Sequence, residues 1–479
     1  MKKSKISIIV LTVLLSVVAL TAGDDWSKNK KAIDKSVEKH RKALIKISDA
    51  IWSNAELALE EHKSSKILAD YAEKNGFNVE RGVAGMPTAF IATYGSGRPR
   101  IGILGEFDAN AGISQKAQSE KEALIEGAPG HGCGHNLFGT GSLGAAVAIK
   151  ELMAKGKIKG TVVFYGTPAE ETIFGKVWFA RAGLFNDLDV CVDWHPGDDM
   201  EAATQSSKAL IDFRVNFYGK SAHASADPFN GFSAVDGMEL FTTGINYYRE
   251  HIKPTARIHY QIEKAGDVVN VVPDKAQIWV RVRENDRESL NVVYQRVMKI
   301  AAAGALMAEV EHEINLISGI YEILPNRRGA AAIQANFEML GPIKYTNKEM
   351  EYAKEIQRAT GKPEVGMDGA IYPLKETKPA QGGSTDVGDV SQIVPVVRLS
   401  TPAAPKDAPW HSWAVVACTG MSIGHKGMIQ ASKALGMTMV DLFEDPQLVK
   451  EVTAEFNERK GSSKYEAMIA PGPPPVPKK

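Results

Sequence analysis

The chain has 479 residues, 44% of them hydrophobic and 24% charged, so it can bury a large core and is too long for one ordinary domain. Lysine plus arginine equals aspartate plus glutamate at 57 each, and this balance creates no field that would attract nucleic acid or an anionic membrane. The composition therefore predicts a globular protein of two domains and disfavours nucleic-acid binding.

Residues 1–23 have the three parts of a secretory signal. Lys2, Lys3 and Lys5 form a basic head, residues 6–20 are mostly apolar, and residues 21–23 are short polar or small. A membrane-spanning helix needs roughly 18 or more apolar residues, which is longer than this run. We therefore expect export to the periplasm, with no membrane association once the signal is removed. An uncleaved anchor helix is the alternative.

The cysteines do not predict a disulfide framework. Cys133, Cys191 and Cys418 are an odd and sparse set for an exported chain of this length. Cys191 and Cys418 lie in apolar runs, where a free cysteine is usually a small buried hydrophobe. Only Cys133 lies in a loop-like context.

The first part of the chain, residues 27–207, has the alternating pattern of an α/β domain. Apolar residues at helical spacing over 30–72 predict two helices before the first strand. Four strands and one further helix follow, predicted over 89–94, 100–105, 161–166 and 190–193 and over 139–155.

Acidic and histidine side chains follow these strands one after another. Asp108 follows the second strand, Glu170 and Glu171 follow the third, and His195 follows the fourth. The carboxyl ends of parallel strands lie at one edge of a sheet, where α/β proteins build their sites. We expect these side chains to meet at that edge.

A different pattern occupies residues 208–322. Strands are predicted over 209–218, 256–264, 277–283 and 310–317, and helices over 231–251 and 288–308. The order β-α-β-β-α-β is that of a ferredoxin-like domain, here inserted into the first domain. The α/β pattern then resumes over 323–460, and the proline-rich residues 461–479 are expected to form an extended, mobile tail.

The loop Gly-His-Gly-Cys-Gly-His-Asn at 130–136 concentrates metal-binding side chains with little bulk between them. Its glycines allow the backbone to fold tightly, so that the thiolate of Cys133 and the imidazole of His135 can converge on one point. These residues predict a metal site. A glycine turn with a chance cysteine and histidine is the alternative.

Six ordered motifs carry a resemblance to a known family. They are His-Gly-Cys-Gly-His-Asn at 131–136, Pro-Ala-Glu-Glu at 168–171, Asp-Trp-His-Pro at 193–196, Gly-Lys-Ser-Ala-His-Ala at 219–224, Asn-Val-Val-Pro-Asp at 270–274 and Gly-Ser-Thr-Asp at 383–386. Together they resemble the M20 metallopeptidase family, and within it the amidohydrolase branch that cleaves N-acyl amino acids. The likeness covers nearly everything between the signal and the tail. It implies a mixed-sheet catalytic domain of the zinc-exopeptidase type, with the inserted ferredoxin-like domain acting as a lid and dimerisation domain.

The resemblance also implies two divalent metal ions, zinc or manganese. The positions that match the family's ligands are Cys133, His135, Glu171, His195 and His411. His425 is the alternative to His411 for the fifth position, although it is predicted to open a helix and so to be structural. Asn136 occupies a position where relatives often carry aspartate, which leaves no carboxylate there to support the ligands.

The resemblance assigns the general-base role to Glu170, which directly precedes the ligand Glu171. Two adjacent glutamates on a helix are usually a solvated pair, but these come directly after a buried strand, which favours the catalytic role. His223, in the inserted domain, is implied to reach across a homodimer and stabilise the oxyanion, with a surface histidine as the alternative. Asn270 and Arg283 are candidates for binding the substrate's carboxylate. A related subunit could take the place of the second copy.

Three hypotheses for the function follow. The leading one is metal-dependent hydrolysis of the amide bond between an acyl or aroyl group and an amino acid such as glutamate, in a small N-acyl amino acid. A dipeptidase or carboxypeptidase would keep the fold and change the bond, and the motifs do not separate the two. A cysteine-nucleophile hydrolase using Cys133 with His135 is the third, although the sequence offers no third group to orient the histidine.

Overall fold

The computed structural model describes residues 26–477, so the predicted signal segment lies outside the described residues. The first part of the chain contains α1 (Lys28–Asn54), α2 (His62–Lys74), β1 (Asn78–Arg81), β2 (Phe90–Ser96), β3 (Arg100–Gly105), α3 (His135–Ala154), β4 (Gly160–Gly166), α4 (Glu170–Ile173), α5 (Gly175–Arg181), β5 (Val190–Gly197) and β6 (Glu201–Ala202). The insertion contains β7 (Ala209–Tyr218), α6 (Ala234–Tyr248), β8 (Arg257–Ala265), β9 (Lys275–Glu284), α7 (Arg287–Met307) and β10 (Glu311–Ile320). The last part contains α8 (Arg327–Leu340), α9 (Asn347–Ala359), α10 (Val387–Ser391), β11 (Val396–Pro402), α11 (Trp413–Thr419), α12 (Ser422–Glu444), α13 (Pro446–Lys460) and β12 (Met468–Ile469).

The larger sheet has seven strands in the order β1-β2-β4-β3-β5-β11-β6. β3 is parallel to β4 and β5, and β5 is parallel to β11, whereas β1, β2 and β6 join their neighbours antiparallel. Because β11 comes from the last part of the chain, the two parts that flank the insertion build one sheet. The predicted mixed α/β class is confirmed.

Helix α3 lies at the centre of the larger core, in contact with β3, β4 and β5 and with α1 and α12. A Cβ on Gly144 would lie 2.5 Å from Ser432 Oγ of α12 and 2.8 Å from Leu44 Cδ1 of α1, so only glycine allows these helices to approach so closely. Among residues 26–477, α3 is the single helix long and apolar enough to cross a bilayer, but most of it is buried inside the protein. It is the core helix of this domain.

The insertion forms a second sheet in the order β12-β10-β7-β9-β8. Its hydrophobic core lies between the sheet and the helices α6 and α7. Strand β9 has the alternating pattern that this packing requires. Every second residue is buried in the core, and the residues between them face the other side of the sheet (Gln277, Trp279, Arg281 and Arg283). The four strands β7 to β10 are in ferredoxin-like order, so the predicted inserted lid fold is confirmed.

Part of the segment predicted as a mobile tail packs against the rest of the protein. Met468 pairs with Gly319 and Ile469 with Ser318, so β12 extends the lid sheet at the edge of β10. The Tyr465 hydroxyl also donates a hydrogen bond to Asp389 Oδ1 at 2.9 Å. The prediction was wrong for this stretch, because composition does not reveal that an unpaired strand edge is available to it.

Candidate metal centre

The five predicted ligands lie at the carboxyl edge of the larger sheet. Cys133 is in the loop before α3, and His135 is the first residue of α3, which begins four residues earlier than the 139 predicted from the sequence. Glu171 is on α4, directly after β4, and His195 is near the end of β5. His411 is in the loop that precedes α11.

Backbone conformation brings the loop of Cys133 and the loop of His411 together. Gly134 has a φ of 76°, a left-handed conformation that glycine adopts freely, and this lets the chain turn between Cys133 and His135. A Cβ on Gly132 would lie 3.1 Å from His411 Cα, and the His411 N–H donates to the Gly132 carbonyl at 3.0 Å. His411 itself has a φ of 56°, which costs a non-glycine residue about 1–3 kcal/mol and is typical of functional sites.

The side chains of these residues form two overlapping groups. Cys133 Sγ lies 3.4 Å from His195 Nε2, and His411 Nε2 lies 3.5 Å from Glu171 Oε1. His135 Nε2 lies 4.0 Å from the same glutamate oxygen. The ligand atoms of Cys133, His135 and His195 lie within 4.8 Å of one another, as do those of Cys133, Glu171 and His411. Cys133 belongs to both groups, so the five side chains form one continuous cluster.

Asp108 holds two of the ligands in place. His135 Nδ1 donates to Asp108 Oδ1 at 2.9 Å, so Nε2 is the ring nitrogen that faces the cluster. The Glu171 N–H donates to Asp108 Oδ2 at 2.9 Å, which fixes the start of α4. The sequence pattern placed Asp108 at the same sheet edge but gave it no role. The position of Asp108 after β3, at the edge where the other site residues lie, was the signal that could have identified this role.

His195 is also held in the form that a metal ligand needs. Its Nδ1 donates to the carbonyl oxygen of Pro196 at 2.7 Å, so Nε2 presents a lone pair toward Cys133. Burial and the neighbouring His135 lower the pKa of His195 to about 4. The ring is therefore neutral at physiological pH.

Unsatisfied polar atoms test whether these residues fit a metal. Glu171 Oε1 is buried without a hydrogen-bond partner among the described residues, and His135 Nε2 and Glu106 Oε2, which lie 2.9 Å apart, have no other polar partner there. Leaving such an atom unpaired costs about 1–3 kcal/mol, and a cation would satisfy it. Thiolate and imidazole donors suit zinc, and carboxylate donors also suit manganese. The donor set and the orphaned atoms therefore fit a divalent metal centre.

Glu170 is buried beside the cluster rather than solvated. A carboxylate oxygen of Glu170 lies within 4.8 Å of a ring nitrogen of His135 and of an oxygen of Glu106. Burial, together with the charges of Glu106 and Glu171, raises the pKa of Glu170 well above its usual range. The alternative of an exposed glutamate pair therefore does not apply to this residue.

A cavity of about 1120 Å³ opens over the cluster, and its wall includes Arg283 from the lid strand β9. Arg283 donates to Ser384 Oγ at 3.1 Å, and no carboxylate of residues 26–477 lies within 4.0 Å of it. Arg281, two residues earlier, is by contrast paired with Asp212. Arg283 therefore brings an uncompensated positive charge to the cavity.

Comparison with known proteins identifies the family. The model of peptidase family M20/M25/M40 matches residues 115–438 of this chain. The chain belongs to the M20 family. The resemblance inferred from its six motifs is thus confirmed.

Individual M20 relatives cover nearly the whole chain. One subunit of the p-aminobenzoyl-glutamate hydrolase of Escherichia coli strain K12 is 35% identical over 93% of this chain and 98% of its own. The human Xaa-Arg dipeptidase is 29% identical over 90% of this chain and 91% of its own. A crystal structure of a dinuclear metal-binding M20 peptidase from Bacillus subtilis superposes with a TM-score of 0.58 at 18% identity, covering 85% and 99% of the two chains. The protein is therefore an M20 hydrolase of amide or peptide bonds.

A buried charge cluster that the sequence pattern did not reveal lies behind the M20 site. Lys176 of α5 contacts Glu106 and lies 2.7 Å from Asp386 Oδ1, and all three side chains are buried. The other oxygen of Glu106 lies 2.9 Å from His135 Nε2. Asp386 ends the Gly-Ser-Thr-Asp motif, whereas nothing in the sequence pattern distinguishes Lys176.

Three predicted or alternative site residues lie away from the cluster. His223 and Asn270 are exposed on paired loops of the lid, where the Ala224 N–H donates to the Asn270 carbonyl, and neither lines the cavity. His425 Nε2 lies 2.8 Å from Asp49 Oδ1, between α12 and α1. The structure therefore brings His411, and not His425, to the other four ligands.

Proposed function

We propose that this M20 hydrolase is a metal-dependent amidohydrolase that cleaves the amide bond of an N-acyl or N-aroyl amino acid, with p-aminobenzoyl-glutamate as the type of substrate. One observation carries the proposal: five ligand-type side chains and the buried Glu170 converge under a cavity that also contains the uncompensated Arg283. The 35% identity to a subunit of a p-aminobenzoyl-glutamate hydrolase supports the substrate type.

Cys133, His135, Glu171, His195 and His411 would hold two divalent cations, zinc or manganese. Bound there, such ions supply Lewis acidity toward the substrate carbonyl and toward water. The chain itself fixes the donor atoms, because Asp108 and the Pro196 carbonyl set the tautomers of the two buried histidines.

Glu170 would act as the general base. It lines the cavity beside the cluster, where it can accept a proton from the attacking water and return it to the nitrogen of the leaving amine. Its burial keeps bulk solvent away from that proton. The adjacent Glu171 holds its place as a ligand through the hydrogen bond from its N–H to Asp108.

Arg283 would bind the carboxylate of the amino-acid part. A guanidinium without an acidic partner is a donor set that matches a carboxylate, and Ser384 leaves part of it available. Because Arg283 is on the lid, this contact would also link substrate binding to the position of the lid over the metal site.

His223 would complete the site of a second copy. Neither His223 nor Asn270 lines the cavity of its own chain, and apolar side chains near them are exposed, Val269 at 99% and Phe229 at 81%. Exposed apolar residues of this kind favour a protein interface. We therefore propose a homodimer in which His223 stabilises the oxyanion in trans and Asn270 contacts the substrate. A related partner chain is the alternative, since two different subunits of the Escherichia coli hydrolase are both relatives of this protein.

A dipeptidase is the second candidate, favoured by the 29% identity to the Xaa-Arg dipeptidase. A carboxy-terminal arginine would, however, bring its positive side chain into the cavity that already holds the unpaired Arg283. Like charges in a partly desolvated cavity repel, which favours an uncharged or acidic residue at this position. The cysteine-nucleophile hypothesis is weaker, because burial and the charge of Glu171 raise the pKa of the Cys133 thiol well above its usual range, whereas reactive thiols have a lowered pKa.

We also propose that residues 1–23 direct export to the periplasm, on the signal-like pattern of the sequence. Amino-terminal sequencing of the protein from a periplasmic extract tests this. A mature chain that begins near residue 24 is expected, and an intact amino terminus would contradict a cleaved signal.

The experiment that tests the function is hydrolysis by the purified mature chain. Release of p-aminobenzoate from p-aminobenzoyl-glutamate is measured beside N-acetyl amino acids and Xaa-Arg dipeptides, with and without a chelator. Glu170→Gln should lower kcat by about 10²–10⁴-fold, the usual contribution of a general base. Glu284→Gln, at an equally buried glutamate of β9, is the control and should retain activity. Preference for dipeptides would support the second candidate instead.

A further inference from the structure

The two glutamates of the site follow a residue with an unfavourable backbone conformation. Ala169, between β4 and α4, has a φ of 63° and a ψ of 34°. This left-handed region is sparsely populated by residues with a Cβ, and such a conformation persists only where the surroundings hold it. Ala169 is completely buried, so those surroundings are protein.

Glu61 supplies a contact that holds this turn. Its Oε1 accepts a hydrogen bond from the Ala169 N–H at 2.9 Å, and its Oε2 accepts one from Thr88 Oγ1 at 2.8 Å. Ser65, on the first turn of α2, donates to the Thr88 carbonyl at 2.7 Å. The start of α2, the segment before β2 and the turn after β4 are therefore joined at the carboxyl group of Glu61.

Burying the carboxyl group of Glu61 costs free energy, so its presence here calls for a compensating contact. The residue is 0% exposed, and among residues 26–477 no lysine, arginine or histidine forms an ion pair with it. Burial and the charge of Asp108 raise the pKa of Glu61 to about 8. An apolar side chain would fill the same space without this desolvation penalty, so the hydrogen bonds from Ala169 and Thr88 are what a carboxyl group adds.

We propose that Glu61 is a positioning residue for the general base: its buried carboxyl group holds the left-handed turn at Ala169 and thereby sets the position of Glu170. This inference rests on the proposed function, because it assumes that Glu170 removes the proton from water. Glu61 does not line the cavity, and its hydrogen bond to the turn before Glu170 goes to the backbone N–H of Ala169.

Asp108 holds the other end of the same turn through its hydrogen bond from the Glu171 N–H. Glu170 therefore lies between two backbone N–H groups that are each bound by a buried carboxyl group. Loss of the Ala169 contact should let the turn relax toward an ordinary conformation and move the Glu170 carboxylate. A displacement of about 1 Å at a reacting group can cost about 10²-fold in rate.

Four variants separate this role from simple stability. Glu61→Gln keeps an acceptor for the Ala169 N–H, and Glu61→Met keeps a similar volume without one. Ala169→Gly, combined with Glu61→Met, removes the need for the contact, because glycine adopts left-handed φ values without a Cβ penalty. Ala84→Gly, also combined with Glu61→Met, is the matched control. Ala84 likewise has a positive φ, 52°, but it belongs to the short turn at Val83–Gly85.

The assays are steady-state kinetics on the best substrate, bound metal per chain, and amide hydrogen exchange over residues 167–175. Glu61→Met should lower kcat by about 10- to 100-fold, with KM changed less than about threefold and metal content unchanged. Glu61→Gln should stay within about threefold of the wild type. Ala169→Gly should recover at least about fivefold of the kcat lost in Glu61→Met, and Ala84→Gly should recover none.

Equal losses of kcat in Glu61→Gln and Glu61→Met would overturn the proposal, as would a failure of Ala169→Gly to recover activity. If Glu61→Met does not accumulate as folded protein, Glu61→Gln decides: a tenfold loss of kcat with unchanged exchange over 167–175 contradicts the positioning role. A wild-type chain that cleaves no substrate would count against the proposed function alone. Hydrogen exchange needs no substrate and would still test the contact between Glu61 and Ala169.

Discussion

Replacement of Asp108 by asparagine should weaken metal binding, because one side chain holds two ligands at once. The carboxylate accepts from His135 Nδ1–H and from the Glu171 N–H, each at 2.9 Å. An asparagine has one acceptor oxygen and one NH2 group. In either orientation of the amide, its NH2 group therefore faces the N–H of His135 or that of Glu171, and this N–H loses its acceptor.

The expected change in metal affinity follows from this one unpaired N–H donor. A buried donor left without an acceptor costs about 1–3 kcal/mol, and loss of an outer partner of a metal ligand typically costs about 10–100-fold in affinity. We expect the dissociation constant for the metal to rise by about 10–100-fold, equivalent to about 1.4–2.8 kcal/mol. With metal in excess, most of the wild-type kcat should return, because Glu170 and all five ligands are still present.

The assay is competition between the metal-free protein and a chromophoric chelator of known affinity, followed by kinetics at saturating metal. Asp212→Asn is the matched control: Asp212 is as buried as Asp108 but pairs with Arg281 and Trp279 in the lid. It should lower thermal stability without changing metal affinity. The reasoning is refuted if Asp108→Asn binds metal as tightly as the wild type, or if the control weakens binding equally.

Three further predictions concern the lid, the subunit interface and the core. Arg283→Met should raise KM by about 10–150-fold, the value of a charge-assisted hydrogen bond, and a substrate with an amidated carboxylate should show no such change. Co-expression of His223→Ala with Glu170→Gln should restore about a quarter of the wild-type activity, because half of a random mixture is heterodimer with one intact site; no recovery would contradict action in trans. Gly144→Ala should destabilise the fold by about 1–3 kcal/mol, seen as a lower Tm, because its Cβ would lie 2.5 Å from Ser432 Oγ; an unchanged Tm would show that α12 can move away.

The sheet edge and the clustering of the candidate ligands could be predicted because their signals are local in sequence. Each site residue follows a buried strand directly, as Glu171 follows β4, or lies within a short glycine-rich loop, as Cys133 does. Parallel strands then place these ends side by side without any knowledge of distant contacts. His411 could be placed only by resemblance, since no strand or repeated pattern marks it.

Contacts between distant segments could not be predicted in this way. Glu61 and Ala169 are far apart in sequence, as are Lys176 and Asp386, and neither glutamate nor lysine in an amphipathic segment signals burial. The pairing of Met468 with Gly319 depends on a free edge of β10, which only the assembled sheet defines. The start of α3 was placed too late because the run of small and apolar residues begins at Gly139, whereas the helix begins at His135, directly after the left-handed Gly134 of the loop.

The proposed reaction requires two divalent ions bound by this cluster. Metal-free protein should be titrated with zinc and, separately, with manganese, while bound metal per chain and hydrolysis of p-aminobenzoyl-glutamate are measured on the same samples. We expect no activity without metal, two ions bound at saturation, and loss of binding in His195→Ala. Full activity in protein shown to be free of metal would contradict it and would return Cys133 to consideration as the nucleophile.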